Sequence, residues 1–144
     1  MAPYRFLEDA PTADVGFVAA GATLEECFQA AADATLAVML ANPEALQSRV
    51  QRSMHVEADS VDLALLRFLE ELIYAKDAEG NFFRVTTISV QERDNRWLVD
   101  ATADGEAIDP SRHLLSGDVK AVTLHRLNVQ RADNGWEATV VLDI

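Results

Sequence analysis

Apolar side chains recur at helical spacing in two stretches of the chain. Leu24, Cys27, Phe28, Ala31, Thr35, Val38 and Met39 fall on one stripe, and Thr23 with Glu26 has capping-box spacing, which predicts a helix from residue 23 to about 42. Leu63, Leu66, Leu69, Leu72 and Ile73 form a second stripe, widened by Leu65 and Phe68. They predict a helix over about 61–77, stopped by Gly80 and buried against a sheet, with Glu70 and Glu71 left in solvent. Elsewhere the pattern has a period of two. Strands are expected at 4–8 and 15–20, separated by a chain break at Pro11, and at 50–57, 83–91, 97–103, 127–131 and 136–143. Arg93-Asp94-Asn95-Arg96 joins one hairpin and Asn134-Gly135 another. Two main helices among mostly antiparallel strands predict an α+β, two-layer fold forming one domain over 1–144.

The last hairpin directs attention to the end of the sequence. With Asn134 and Gly135 as the turn, Arg126 opposes Asp143 and His125 opposes Ile144; a bulge shifts this register by about a residue and leaves the segments adjacent. Ala138, Val140, Leu142 and Ile144 share one strand face, and Glu137, Thr139, Val141 and Asp143 the other. The local pattern favours Asp143 as a solvated acid or an exposed ion pair with Arg126, worth little stability. The other reading brings Asp14, at a strand entrance, to Asp143 and the main-chain carboxylate of Ile144. Such carboxylates repel one another unless a cation neutralises them, and they are the hard oxygen donors that Ca²⁺, Mg²⁺ and Mn²⁺ prefer. Water or a partner's group fills the remaining coordination positions. Lys120 is either a contact for a phosphate or a partner's carboxylate, or a lysine on an exposed strand edge. His125 joins it on one site only if the backbone turns.

The remaining candidates read as structural. Cys27 is a buried thiol on a helix stripe, His55 a strand side chain without metal-ligand spacing, and His113 part of a turn after Asp109-Pro110. Zinc is disfavoured, because Cys27 and the histidines lack finger-like spacing. The sequence contains no Gly-rich phosphate loop, nucleophile elbow or Cys/His nucleophile pair.

Composition narrows the function further. A formal charge of -12 over 144 residues repels a phosphate backbone, so autonomous nucleic-acid binding is not expected. A hydrophobic content of 49% with 25% charged residues suits a folded globular chain. One cysteine, no secretory signal pattern and no long apolar run lead to the expectation of a cytoplasmic protein that does not enter a membrane. Two classes remain: a metal-binding accessory protein, and an acidic chaperone-like adaptor without a metal. A metal-dependent hydrolase built from the same acids is a weaker third.

Several blocks in order resemble the archease family: Tyr4-Arg5-Phe6-Leu7-Glu8, Thr12-Ala13-Asp14-Val15-Gly16, Thr23-Leu24-Glu25-Glu26, Leu69-Glu70-Glu71-Leu72-Ile73-Tyr74, the stretch 109–125, Gly135-Trp136 and Val141-Leu142-Asp143-Ile144. The resemblance implies a divalent cation held by Asp14, Asp143 and Ile144, with Ca²⁺ the first expectation and Mn²⁺ or Mg²⁺ the others, and a functional Lys120. It implies a protein that is not itself an enzyme. Its role would be to activate an RtcB-type RNA ligase in tRNA splicing or RNA repair, promoting guanylylation and multiple turnover. Two positions depart from the family pattern: Asp9-Ala10-Pro11 stands where a histidine often precedes Thr-Ala-Asp, and Leu124 replaces the usual aromatic before His125.

Overall fold

Among the described residues eight strands and two α-helices follow the order anticipated from the hydrophobic pattern, with one addition, the two-residue strand Ala121–Val122 in the stretch read as irregular. In a computed structural model, which describes residues 3–9 and 14–144, the elements are β1 (Tyr4–Leu7), β2 (Asp14–Gly21), α1 (Leu24–Met39), β3 (Val50–Ala58), α2 (Val61–Tyr74), β4 (Asn81–Arg93), β5 (Arg96–Ala107), β6 (Ala121–Val122), β7 (Asn128–Ala132) and β8 (Gly135–Asp143). The expected break at Pro11 and the start of the Thr12 segment lie outside the described residues. Thr23 caps α1, its hydroxyl accepting from the Glu26 N–H at 3.1 Å. Ser60 caps α2 in the same way. The α-helical part of α2 ends at Tyr74, short of the expected 77. A π-helical turn, Ala75–Glu79, carries the chain on to Gly80, whose φ of 70° ends the run.

All strand pairs are antiparallel. One sheet runs β1-β2-β8, and β6 and β7 share the far edge of β8; the other runs β3-β5-β4. Helix α1 packs on β2 and β8 of the first sheet and on β4 of the second. That position explains why its burial exceeds the stripe read from the sequence: Ala30, Ala32, Ala34 and Leu36 are buried as fully as Cys27, Phe28 and Ala31. Alanine side chains let a sheet approach from either side without strain. Phe28 of α1 stacks on Phe68 of α2, with ring centres 6.1 Å apart. The buried face of α2 centres on Leu65, Phe68, Leu69 and Leu72, and the expected anchors Leu63 and Leu66 are only half-buried. The α+β expectation, with mostly antiparallel strands and two main helices, matches the structure.

Two hairpins depart from their expected detail. The β4–β5 hairpin extends beyond both predicted strands and turns on Asp94 and Asn95, both at positive φ (53° and 62°), the geometry a two-residue mirror-image turn requires. In the β7–β8 hairpin Ala132 pairs with Gly135, so the turn is Asp133-Asn134 rather than Asn134-Gly135. Gly135 opens β8 instead, at φ 153°, where an added Cβ would lie 2.1 Å from the Gly21 carbonyl oxygen. The close approach to β2 consumes the glycine, and the turn forms one residue earlier. Arg126 and His125 therefore do not oppose Asp143 and Ile144. Arg126 pairs with Asp9 at 3.3 Å.

Candidate functional site

The partner of Asp143 comes from the other end of the described chain. In the β2–β8 ladder Asp14 stands directly opposite Asp143, followed by Val15 opposite Leu142 and Gly16 opposite Val141. Direct partners project to the same face with Cβ atoms ~5 Å apart, so the two carboxylates are neighbours because of sheet register. Both residues are half-buried, and Ile144 beside them is half-buried too. On the other side of Asp143 the ladder partner is Ala121, whose methyl group leaves the carboxylate uncrowded. Among the described residues no basic side chain lies within ion-pair distance of Asp14 or Asp143. Among the same residues no three His, Cys, Asp or Glu side chains gather as a metal cluster. The oxygen atoms that this rung presents are two side-chain carboxylates, with the main chain of Ile144 beside them. Like charges on one rung are destabilising, and a hard cation is the ligand chemistry that would relieve them.

Lys120 reaches this rung through its backbone. Its N–H donates to the Asp143 carbonyl at 2.8 Å, and the Thr123 N–H donates to Val141 at 3.0 Å, so the segment continues the β8 edge although only Ala121–Val122 is regular strand. The Lys120 side chain is exposed, and its charge helps to hold the Asp118 carboxyl below the usual range, after the larger effect of the Lys76 hydrogen bond. The chain then turns, with Arg126 at φ 58° and the Thr123 hydroxyl accepting from the His125 N–H. His125 is exposed on that turn.

The irregular stretch leading to Lys120 is fastened by residues the sequence pattern did not single out. The Asn42 amide clamps it from both sides, donating to Arg112 O at 3.0 Å and accepting from the Leu114 N–H at 2.8 Å. Main-chain bonds from Ser116 to Met39 and from Gly117 to Val38 continue the clamp. Lys76, carried on the π-helical turn, donates to Asp118 at 2.6 Å and to Val119 O at 2.7 Å. Burial opposes its charge, but hydrogen bonds to Asp118 and Asp77 outweigh burial and raise the ammonium above its ordinary range.

Glu106 is the deepest charge, only 2% exposed. It accepts from the Gln47 N–H at 2.8 Å, from His113 Nε2 at 3.1 Å and from the Arg112 guanidinium. The Asp109 N–H donates to His113 Nδ1 at 2.9 Å, which leaves the ring proton on Nε2, facing Glu106. His113 is therefore structural, as expected of a turn histidine. Chiefly through the Gln47 N–H, and then through His113 and Arg112, these donors hold the Glu106 carboxyl down at about 2. A folded-state value below the ordinary 4.5 means that this stabilisation is complete above 4.5 and is lost as pH falls from there toward 2. Glu106→Gln should therefore be less stable than wild type at pH 7, and the gap should close on acidification. Urea midpoints at pH 7 and pH 3 check this; an unchanged gap would show that the carboxylate contributes nothing.

The other candidates carry no free chemistry. His55 is exposed between Glu57 (2.9 Å) and Asp100 (2.6 Å), whose hydrogen bonds raise the ring above its usual range and occupy both nitrogens. Cys27 is fully buried, donates to the Ala19 carbonyl at 3.7 Å, and has its thiol pushed up to about 12, first by burial and then by Glu137. No described helix is long and apolar enough to cross a membrane.

Residues 4–144 match the model of the Archease protein family. The chain is 36% identical to Protein archease of Pyrococcus furiosus, over 92% of this chain and 94% of that one. It is 36% identical to the Pyrobaculum calidifontis protein of the same name, over 99% and 96%. A solution structure of protein 1598 of Methanobacterium thermoautotrophicum superposes over the whole of both chains, with a TM-score of 0.85 at 31% identity. The crystal structure of a Thermotoga maritima archease, described as a possible chaperone, shares the fold alone, with a TM-score of 0.61 at 16% identity over 93% of each chain.

Proposed function

The chain belongs to the archease family, and on that premise we propose that it is a metal-binding accessory protein that activates an RtcB-type RNA ligase. The observation that supports this reading is the pairing of Asp14 with Asp143 on one rung, with Lys120 bonded to the same residue. In the proposal Asp14, Asp143 and a main-chain oxygen of Ile144 would hold a divalent cation of the Ca²⁺, Mn²⁺ or Mg²⁺ type, which would supply a positive charge at an otherwise acidic tip. Three protein donors leave coordination positions open to water or to a group of the ligase. Lys120 would add a second positive charge suited to a phosphate or to a carboxylate of the partner.

The accessory protein would thus help to arrange the metal and nucleotide of the ligase without performing the joining step itself. Its own acidity fits that division of labour, because a net charge of -12 disfavours holding RNA unaided. The test is multiple-turnover ligation by the RtcB-type ligase of the same organism, with this protein substoichiometric. The expected result is sustained turnover and faster guanylylation, reduced by Lys120→Ala. Turnover unaffected by the wild-type protein would defeat the proposal.

A further inference from the structure

A second recessed surface lies at the opposite end of β2 from the Asp14–Asp143 rung. One recess of about 400 Å³ is walled by Pro3, Ala20, Ala22 and Trp136, with Glu26 and Glu137 in its lining. An adjoining recess of about 360 Å³ shares Pro3 and Glu26 and continues over Ala30 and Ile88 to Glu25 and Asp33. No lysine or arginine lines either one among the described residues.

The first turn of α1 accounts for Glu25 and Glu26, which favour a helix N-terminus. It does not account for Glu137, on β8, or Asp33, further along the helix. The Asp33 carboxyl accepts the Gln29 amide at 3.2 Å, and burial raises it above the usual carboxylate range against the smaller opposing effects of that bond and of the more distant Arg84 charge. Among the described residues none of these four acids has an ion-pair partner, although the chain forms such pairs at Glu57, Glu71, Glu79 and Glu106. The Trp136 ring already accepts a cation: the Arg131 guanidinium lies 4.7 Å from its centre.

Apolar walls set among unpaired carboxylates match one chemistry, and we propose that this groove docks a short basic segment of a partner protein, its lysine or arginine side chains interspersed with apolar ones. The apolar side chains occupy the Trp136 and Ile88 recesses, and the cationic groups meet Glu26, Glu137 and Asp33. The surface is remote from the Asp14–Asp143 rung, so it stands or falls independently of metal binding and ligase activation.

The test is an NMR titration with the peptide acetyl-Lys-Leu-Lys-Leu-Lys-amide. Saturable shifts are expected at the Trp136 indole and at Ala22 and Ala30. The affinity should fall at least ~10-fold in Glu26→Gln/Glu137→Gln and again in 0.5 M salt. Asp33→Asn, at the far end of the groove, should weaken binding separately, so the result does not depend on one variant folding well. Any of four outcomes overturns the proposal: no saturable shifts, equal binding by the variants, the same shifts from spermine alone, which makes the occupant a polyamine, or shifts that grow with protein concentration alone, which makes it a second copy.

Discussion

Asp143→Ala, and separately Asp14→Ala, should lower the affinity for Ca²⁺ or Mn²⁺ at least ~100-fold, measured by calorimetric titration. Each substitution removes one of the two charged oxygen donors that the proposed site would have. The metal-free protein should not suffer for it. Asp14 and Asp143 oppose one another in the ladder, and relieving two like charges on one rung gains roughly 0.2–1 kcal/mol. Lost cation binding combined with equal or slightly raised apo stability is a pattern that simple unfolding cannot imitate. The same variants should fail to sustain ligase turnover. A wild-type protein that gives no titratable heat with either ion would remove the metal from the proposal and favour a metal-free acidic adaptor.

The largest stability loss is expected at Gly105. It pairs with Val50 on one side and Phe83 on the other, and an added Cβ would lie 1.8 Å from the Phe82 carbonyl oxygen and 2.8 Å from its carbon. Those atoms belong to the β4 backbone and cannot swing aside as a side chain would. The strands must separate locally, next to Glu106 and its ring of donors. Gly105→Ala should cost about 3 kcal/mol or more. Gly80→Ala is the control: its φ of 70° strains a side chain, but no neighbouring atom lies within 4 Å. That substitution should cost only ~1 kcal/mol. Urea unfolding of the pair decides the matter, and equal losses would mean that close packing at Gly105 contributes nothing.

Local chemistry made the elements legible. The Thr23 cap and the Gly80 stop are written in neighbouring residues and form as read, and both helices form where their stripes lie, although α2 gives way to the π-helical turn after Tyr74 and buries Leu65 and Phe68 more deeply than Leu63 and Leu66. The candidate pair was reachable from sequence because Asp14 opens one strand and Asp143 closes another, in the order that the family resemblance supplied. Register was harder to read. A glycine after asparagine signals a turn, whereas Gly135 is used where two backbones nearly touch, a demand set by Gly21 more than a hundred positions away. Alanine also conceals its surroundings, since it suits exposed and buried helices equally, and the enclosure of α1 became apparent only once both sheets were placed. Glu106 and Lys76 were invisible for a related reason. Gln47, Arg112 and His113 converge on the first, and Asp118 and Val119 on the second, only after the fold has formed.

The opposition of Asp14 and Asp143 is a property of main-chain geometry. Their separation is set by hydrogen-bonded peptide units, whose spacing hardly varies from one sheet to another. The interior can therefore be repainted extensively with other apolar residues, at some expense in rigidity, without changing the gap between the two acids. Only an insertion, a deletion or a slipped strand would alter it, which makes this corner of the molecule tolerant of point mutation around it and intolerant of a single frame error in alignment.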